Sequence, residues 1–144
     1  MRAIRNIAAA TLVITLAACG GGNSESTKSD TTKPKSDLPD LSDKDFKDLT
    51  ADADPVVQAR DNNYVAQYVT VKAGATVKFI NKGRNQHDVL PAEEGAFVAI
   101  EKADFNPGDD GTITFDKPGD YPYYCTLHGT KSKGMVGAVR VLGS

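Results

Sequence analysis

With 144 residues and a formal net charge of −2 from 17 basic and 19 acidic residues, the chain has room for one domain and none for a second. Without Arg2 and Arg5, which fall in an export segment, 15 basic and 19 acidic residues remain, or −4. Nucleic-acid binding and a polybasic membrane contact both need a concentrated excess of Lys and Arg, so this balance argues against either.

Residues 1–18 begin with Arg2 and Arg5, continue through an apolar run from Ile7 to Leu16, and lead into Leu16-Ala17-Ala18-Cys19. This reads as a signal peptide, with an apolar run too short to remain as a spanning helix. The ending resembles the lipobox of bacterial lipoproteins. That resemblance implies that Cys19 becomes the lipidated first residue of the mature chain, the alternative being a cleaved signal followed by a free Cys19. Two or more acyl chains hold a protein stably at a bilayer surface. The expected location is therefore extracytoplasmic, lipid-anchored to the membrane at the cell surface or its periplasmic face.

Residues 19–54 are poor in apolar side chains and rich in Gly, Ser, Thr, Lys and Asp, the composition of a flexible tether. A coil of about 35 residues has an r.m.s. reach of about 30–35 Å, enough to swing a domain between neighbours or simply to clear the lipid. One local signal interrupts it. Leu41, Ser42, Asp45 and Phe46 have the spacing of an N-cap with an acidic N3 residue and a hydrophobic staple, which predicts a short helix over 43–49 packing through Phe46 and Leu49.

From residue 55 to 144 the texture changes to short β-rich runs broken by Gly, Pro and Asn. Strands are expected at Val56–Arg60, Gln67–Lys72, Thr76–Asn81, Asp88–Leu90, Phe97–Ile100, Thr112–Asp116, Tyr121–Cys125 and Met135–Leu142. The pairs Val69/Val71, Val77/Phe79, Ile113/Phe115 and Val139/Val141 alternate with polar residues, which means one face buried and one in water. Turns at Ala73-Gly74, Lys82-Gly83, Pro107-Gly108 and Pro118-Gly119 separate the runs. An all-β antiparallel sandwich of seven or eight strands follows. In the last strand Met135, Gly137, Val139 and Val141 share the core face, and Gly129–Gly134 forms the connecting loop before it.

The chemistry concentrates in Tyr123–Gly137, YYCTLHGTKSKGMVG. The chain has two His, two Cys and two Met; setting aside Met1 and Cys19, the remaining soft donors are His87, Cys125, His128 and Met135. A thiolate, two imidazoles and a weak thioether form the ligand set of blue-copper electron-transfer sites. In an exported domain Cys125 also has no thiol to pair with, which commitment to a metal would explain and a role as catalytic nucleophile would explain too.

Cys125 and His128 followed by Gly134, Met135 and Gly137 resemble the ligand loop of the cupredoxins, the type 1 blue copper proteins, in their plastocyanin-like branch. The likeness extends to Val69–Gly74, Thr76–Asn81 and His87-Asp88-Val89, and to Phe115 through Pro118-Gly119-Asp120-Tyr121 leading to Tyr124-Cys125, covering about Val56 to Val141. It implies a Greek-key β-sandwich and one type 1 copper. His87, Cys125 and His128 would form the metal plane and Met135 the weak axial ligand. His128 would be the electron port, with Leu127, Gly129, Leu90 and Pro91 around it. Tyr124 would couple the thiolate to the flank of the molecule, and Asp88 would hold the Cys-containing loop where the family usually has Asn. An ionised carboxylate there favours Cu(II). The spacer from His128 to Met135 is six residues, longer than the family's four, and its polar residues Thr130–Lys133 are expected to bulge into solvent.

The function implied is electron transfer by a monomeric carrier, not an enzyme, cycling Cu(II) and Cu(I) between redox proteins. Lys82, Arg84, Lys131 and Lys133 would form a basic rim that docks acidic partners, the alternative being ordinary solvated charge. Copper storage or delivery is a second reading, though the Met- or His-rich motifs of such proteins are missing. A Cys-His enzyme built on Cys125 and His128 leaves His87 and Met135 unexplained. Zinc accepts Cys and His but gains little from Met.

Overall fold

The computed structural model describes residues 37–143; the signal at 1–18, Cys19 and the first part of the tether lie outside the described residues. Nine strands form within them: β1 Lys47–Asp48, β2 Val56–Arg60, β3 Asn63–Val65, β4 Tyr68–Lys72, β5 Ala75–Asn81, β6 Leu90–Pro91, β7 Asp110–Phe115, β8 Gly119–Thr130 and β9 Lys133–Leu142. A 3₁₀ turn at Lys102–Asp104 is the one helical element among them. One sheet has the order β1-β4-β9-β8-β6 and the other β3-β2-β5-β7.

The alternating residues do what their period requires. Val69 and Val71, Val77 and Phe79, Ile113 and Phe115, and Val139 and Val141 are all buried and join Val57, Val89 and Tyr123 in a single core between the sheets. The sandwich is mixed rather than antiparallel throughout. β4 runs parallel to β9 and β2 parallel to β5, while β8–β9 and β5–β7 are antiparallel. The reason is that the short turn at Ala73-Gly74 joins strands of different sheets, so sequence neighbours β4 and β5 face each other across the core instead of pairing.

The helix expected over 43–49 does not form. Lys47 and Asp48 pair in parallel with Val69 and Thr70, and the Leu49 amide donates to Thr70 O at 2.9 Å. Ser42, the expected cap, donates instead to Asp40 Oδ1 from both its amide and its hydroxyl, at 3.0 and 2.7 Å. An isolated helix of this length is marginal in water, and the open edge of β4 offers backbone partners that outweigh it. The two apolar anchors are nonetheless used. Leu49 is buried, and Phe46 packs on Tyr68 with ring centroids 5.6 Å apart, under the Arg140 guanidinium at 3.9 Å. Arg140 also grips Asp120 through two bonds of 2.7 and 2.9 Å, which hold the Asp120 carboxyl below its usual range. That pair adds stability above about pH 4, the unfolded value, and the contribution fades as the pH falls through the lower folded value. The tether, expected to run to residue 54, has therefore joined the domain by Lys47.

Phe97–Ile100 is not a strand. Only Ile100 bridges, to Val89, while Phe97 turns onto Phe115 and Val98 stays in solvent. β3 replaces it in the strand inventory; its Tyr64 is buried between two exposed neighbours.

Candidate metal centre

β8 and β9 make a long hairpin whose ladder is interrupted once. Rungs run from Gly119↔Val141 to Tyr124↔Val136 and resume at Gly129↔Gly134 and Thr130↔Lys133. Between them Cys125 to His128 on β8 face only Met135 on β9, a bulge that re-aims side chains locally. Cys125 and Met135 are fully buried and belong to the same core cluster.

This register corrects the expected loop at Gly129–Gly134. Those residues are the paired tip of the hairpin, and the spacer lengthens that tip instead of bulging between His128 and Met135. The pinch at its base depends on two glycines. A Cβ on Gly129 would lie 2.6 Å from Lys133 O and 2.8 Å from Met135 N, and one on Gly134 would lie 2.6 Å from His128 O. Gly134 also has φ of 83°, which a side chain disfavours. The pinch fixes His128 and Met135 on either side of it whatever the length of the tip.

His87 arrives from the segment after β5. Its amide donates to Phe105 O at 3.2 Å. Buried Asn81 organises the loop between, donating to Asn85 O and Phe105 O at 2.9 Å each and accepting from the Gly83 amide at 3.0 Å. Sequence reasoning did not find Asn81. Its bonds go to backbone atoms, whose partners no residue type announces.

The three side chains converge. Cys125 Sγ lies 3.7 Å from His87 Nδ1 and 3.5 Å from His128 Nδ1, and all their ligating atoms fall within 4.8 Å of one another. The two sulfur–nitrogen separations match the edges of a ligand triangle around one ion with bonds of about 2.0–2.3 Å. The imidazoles are 4.8 Å apart between centroids and tilted by 54°. His87 Nε2 is buried without a hydrogen-bond partner, and a Cβ on Gly83 would come 3.0 Å from it. Packing holds the ring at Nε2, while its Nδ1 faces Cys125 Sγ.

The electrostatics suit a cation. Burial and the neighbouring His128 depress the His87 pKa, which leaves a neutral ring with a lone pair to give. Burial pushes the Cys125 thiol up, while backbone N–H groups of Asp88 and Leu127 pull the other way. A metal ion held among the three side chains would supply the positive charge that such a buried thiolate needs.

Asp88 is buried, accepts from the Thr126 amide at 2.7 Å through Oδ1 and from the Thr126 hydroxyl through Oδ2. It thus ties the residue after His87 to the residue after Cys125. Tyr64 donates to the Asp88 carbonyl at 2.6 Å, bracing the same clamp from below. Tyr124 is half-buried and pairs with Leu90 on one side and Val136 on the other. His128 and Gly129 are half-buried, Leu127 is exposed, and Leu90 and Pro91 are partly covered. Lys82 and Arg84 lie exposed on the loop leading to His87, and Lys131 and Lys133 lie exposed at the hairpin tip. Arg84 is committed to Asp61, through its amide and its guanidinium at 3.0 Å each.

The family described as copper binding proteins, plastocyanin/azurin family, matches residues 51–142. Plastocyanin of Prochlorothrix hollandica is 34% identical over 83 residues, which cover 54% of this chain and 62% of that protein. The chain thus spans less than two thirds of that relative's length. Chloroplastic plastocyanin of Chlamydomonas reinhardtii is 31% identical over 105 residues, covering 65% and 70%. Among solved structures, amicyanin from Paracoccus versutus aligns with a TM-score of 0.52 at 30% identity, over 71% of this chain and 94% of that one.

Proposed function

The chain belongs to the plastocyanin/azurin family of copper-binding proteins, and we propose that it carries single electrons between redox proteins outside the cytoplasm, tethered to a membrane through a lipid on Cys19. Its cofactor is one type 1 copper. The observation that carries the reading is the donor triangle of His87, Cys125 and His128 beside buried Met135, in a β-sandwich whose loops are braced at each ligand. Copper held there supplies a one-electron couple, Cu(II)/Cu(I).

The residues around it serve that couple by holding still. Asn81 fixes the His87 loop, Asp88 and Thr126 fix the strand after Cys125, and the Gly129/Gly134 pinch fixes His128 and Met135. A site that changes little between oxidation states loses little energy to rearrangement. His128, partly exposed beside Leu127, Leu90 and Pro91, is the proposed port for electrons. Tyr124 offers a second route from Cys125 to the flank. Copper storage or delivery, the alternative, needs an ion that leaves easily. Full burial of Cys125 and His87 favours retention.

Lys82, Lys131 and Lys133 supply the basic rim of the proposal; Arg84, neutralised by Asp61, adds less. Oxidation of the reduced, copper-loaded protein by ferricyanide, followed by stopped flow, tests carrier and rim together. One oxidising equivalent per protein is expected, with a rate constant that falls several-fold from low to high ionic strength. Lys131→Glu/Lys133→Glu removes most of that fall. A salt-independent wild-type rate would sink the rim, and failure to cycle reversibly would sink the carrier. For the anchor, Cys19→Ser is expected to move the protein from the membrane to the soluble fraction; continued membrane retention contradicts it.

A further inference from the structure

Ala66 is the one non-glycine residue with positive φ among those described, at 58°. A left-handed alanine costs about 1–2 kcal/mol and persists only where its surroundings impose it. The turn it makes carries the chain from β3 in one sheet to β4 in the other and sets Gln67 against β9. Gln67 is bonded on both sides of Gly137. Its carbonyl accepts from the Ala138 amide at 3.0 Å and from the Tyr123 hydroxyl at 3.2 Å. Its side-chain Nε2 donates to Val136 O at 2.8 Å and to Tyr68 Oη at 3.2 Å.

These bonds fall on the last residues of β9 that β8 still holds, directly beside the point where that support stops. On the β8 side the rungs stop at Tyr124↔Val136 and resume at Gly129↔Gly134, so no ladder pair holds Met135. On the β4 side the parallel ladder starts only at Tyr68↔Ala138. The Gln67 amide prolongs that ladder by a side chain, back to Val136, one residue from Met135. A weak, long metal–thioether bond cannot pull a strand into place, so the backbone decides where the sulfur sits.

We propose that Gln67 is a positioning residue for Met135, setting the height of β9 and so the reach of the thioether toward the triangle of Cys125, His87 and His128. The proposal rests on the copper reading above and adds to it a residue whose hydrogen bonds go to Val136, Ala138, Tyr123 and Tyr68 and to no ligand side chain.

Two variants test it. Gln67→Leu keeps the volume and removes the amide; Gln67→Asn keeps the amide but leaves it one methylene short of Val136 O. Each is loaded with Cu(II) and read by visible absorption, electron paramagnetic resonance and spectroelectrochemistry. Both are expected to keep the thiolate-to-copper absorption while the rhombicity of the resonance spectrum changes. The ratio of Cu(II) to Cu(I) affinity is expected to shift by about threefold to tenfold, tenfold being about 59 mV for a one-electron couple. Lower thermal stability with unchanged spectra and midpoint potential would overturn the proposal and leave Gln67 a structural brace. If Gln67→Leu does not fold, the same two outcomes are read from Gln67→Asn. A wild-type protein with no thiolate band would instead overturn the copper reading itself, so the two failures are distinguishable.

Discussion

Cys125→Ser is expected to abolish the intense visible absorption of the copper-loaded protein and to weaken Cu(II) binding by more than about 100-fold. Loss of a residue that only orients a ligand already costs about 10- to 100-fold in metal affinity, and Cys125 is the sole anionic donor of the triangle. A serine hydroxyl is a hard donor that does not ionise near neutral pH, so the soft, covalent charge-transfer interaction has no substitute. The fold should survive. The backbone N–H groups of Asp88 and Leu127 that face the sulfur can be accepted by a hydroxyl oxygen, which limits the destabilisation to about 1 kcal/mol. Absorption spectra and competition with a chelator give the two numbers. A surviving band would place the colour on another donor and remove Cys125 from the site.

Gly137→Ala is expected to destabilise the fold by about 3–5 kcal/mol, well beyond its one added methyl. A Cβ at this position would lie 2.5 Å from Gln67 O and 2.5 Å from Tyr123 Oη, and would run into Tyr123 Cζ. None of these can retreat. The Tyr123 ring is fully buried, edge-on to Tyr64 at 4.9 Å and to Phe79 at 5.4 Å, and its hydroxyl is bound to the same Gln67 carbonyl. Displacing it leaves the buried hydroxyl donor unpaired, while the Gln67 carbonyl keeps the Ala138 amide, which adds about 1–3 kcal/mol to the steric cost. Tyr123→Leu in the same background should recover part of the loss, the signature of two residues coupled by contact. Urea unfolding of the copper-free protein measures both. A loss below about 1 kcal/mol would mean that Tyr123 has freedom to move that its packing does not suggest.

Gly137 also illustrates how much of this molecule was legible beforehand. Its place two residues after Met135 was visible as part of a motif, but its physical reason, room for the Tyr123 ring and the Gln67 carbonyl, needed the assembled sheets. The core strands were readable because alternation at Val69/Val71, Val77/Phe79, Ile113/Phe115 and Val139/Val141 is imposed by burial of one face, a local consequence of a global fact. The candidate donors stood out because they are scarce: His87, Cys125, His128 and Met135 leave little choice, and the fold brings the first three together.

What failed to show in the sequence depended on tertiary competition or on backbone atoms. The capping pattern at Ser42 to Phe46 is a true local preference that lost to the free edge of β4. The bulge at Cys125–His128 and the pinch at Gly129/Gly134 are matters of register, which a six-residue spacer read alone turns into a loop. Asn81 and Gln67 act through main-chain carbonyls and amides, and nothing in a lone polar residue says where those lie. β3 was hidden because its two exposed positions flank the single buried Tyr64.

The central claim is that one copper ion sits among His87, Cys125 and His128 and cycles by one electron. Titration of the copper-free protein with Cu(II), followed by absorption and then by stepwise reduction, tests it most directly. The expected result is an intense thiolate-to-copper band that saturates at one equivalent, bleaches with one electron and returns on reoxidation. No band, or one that is lost irreversibly on the first reduction, would contradict it.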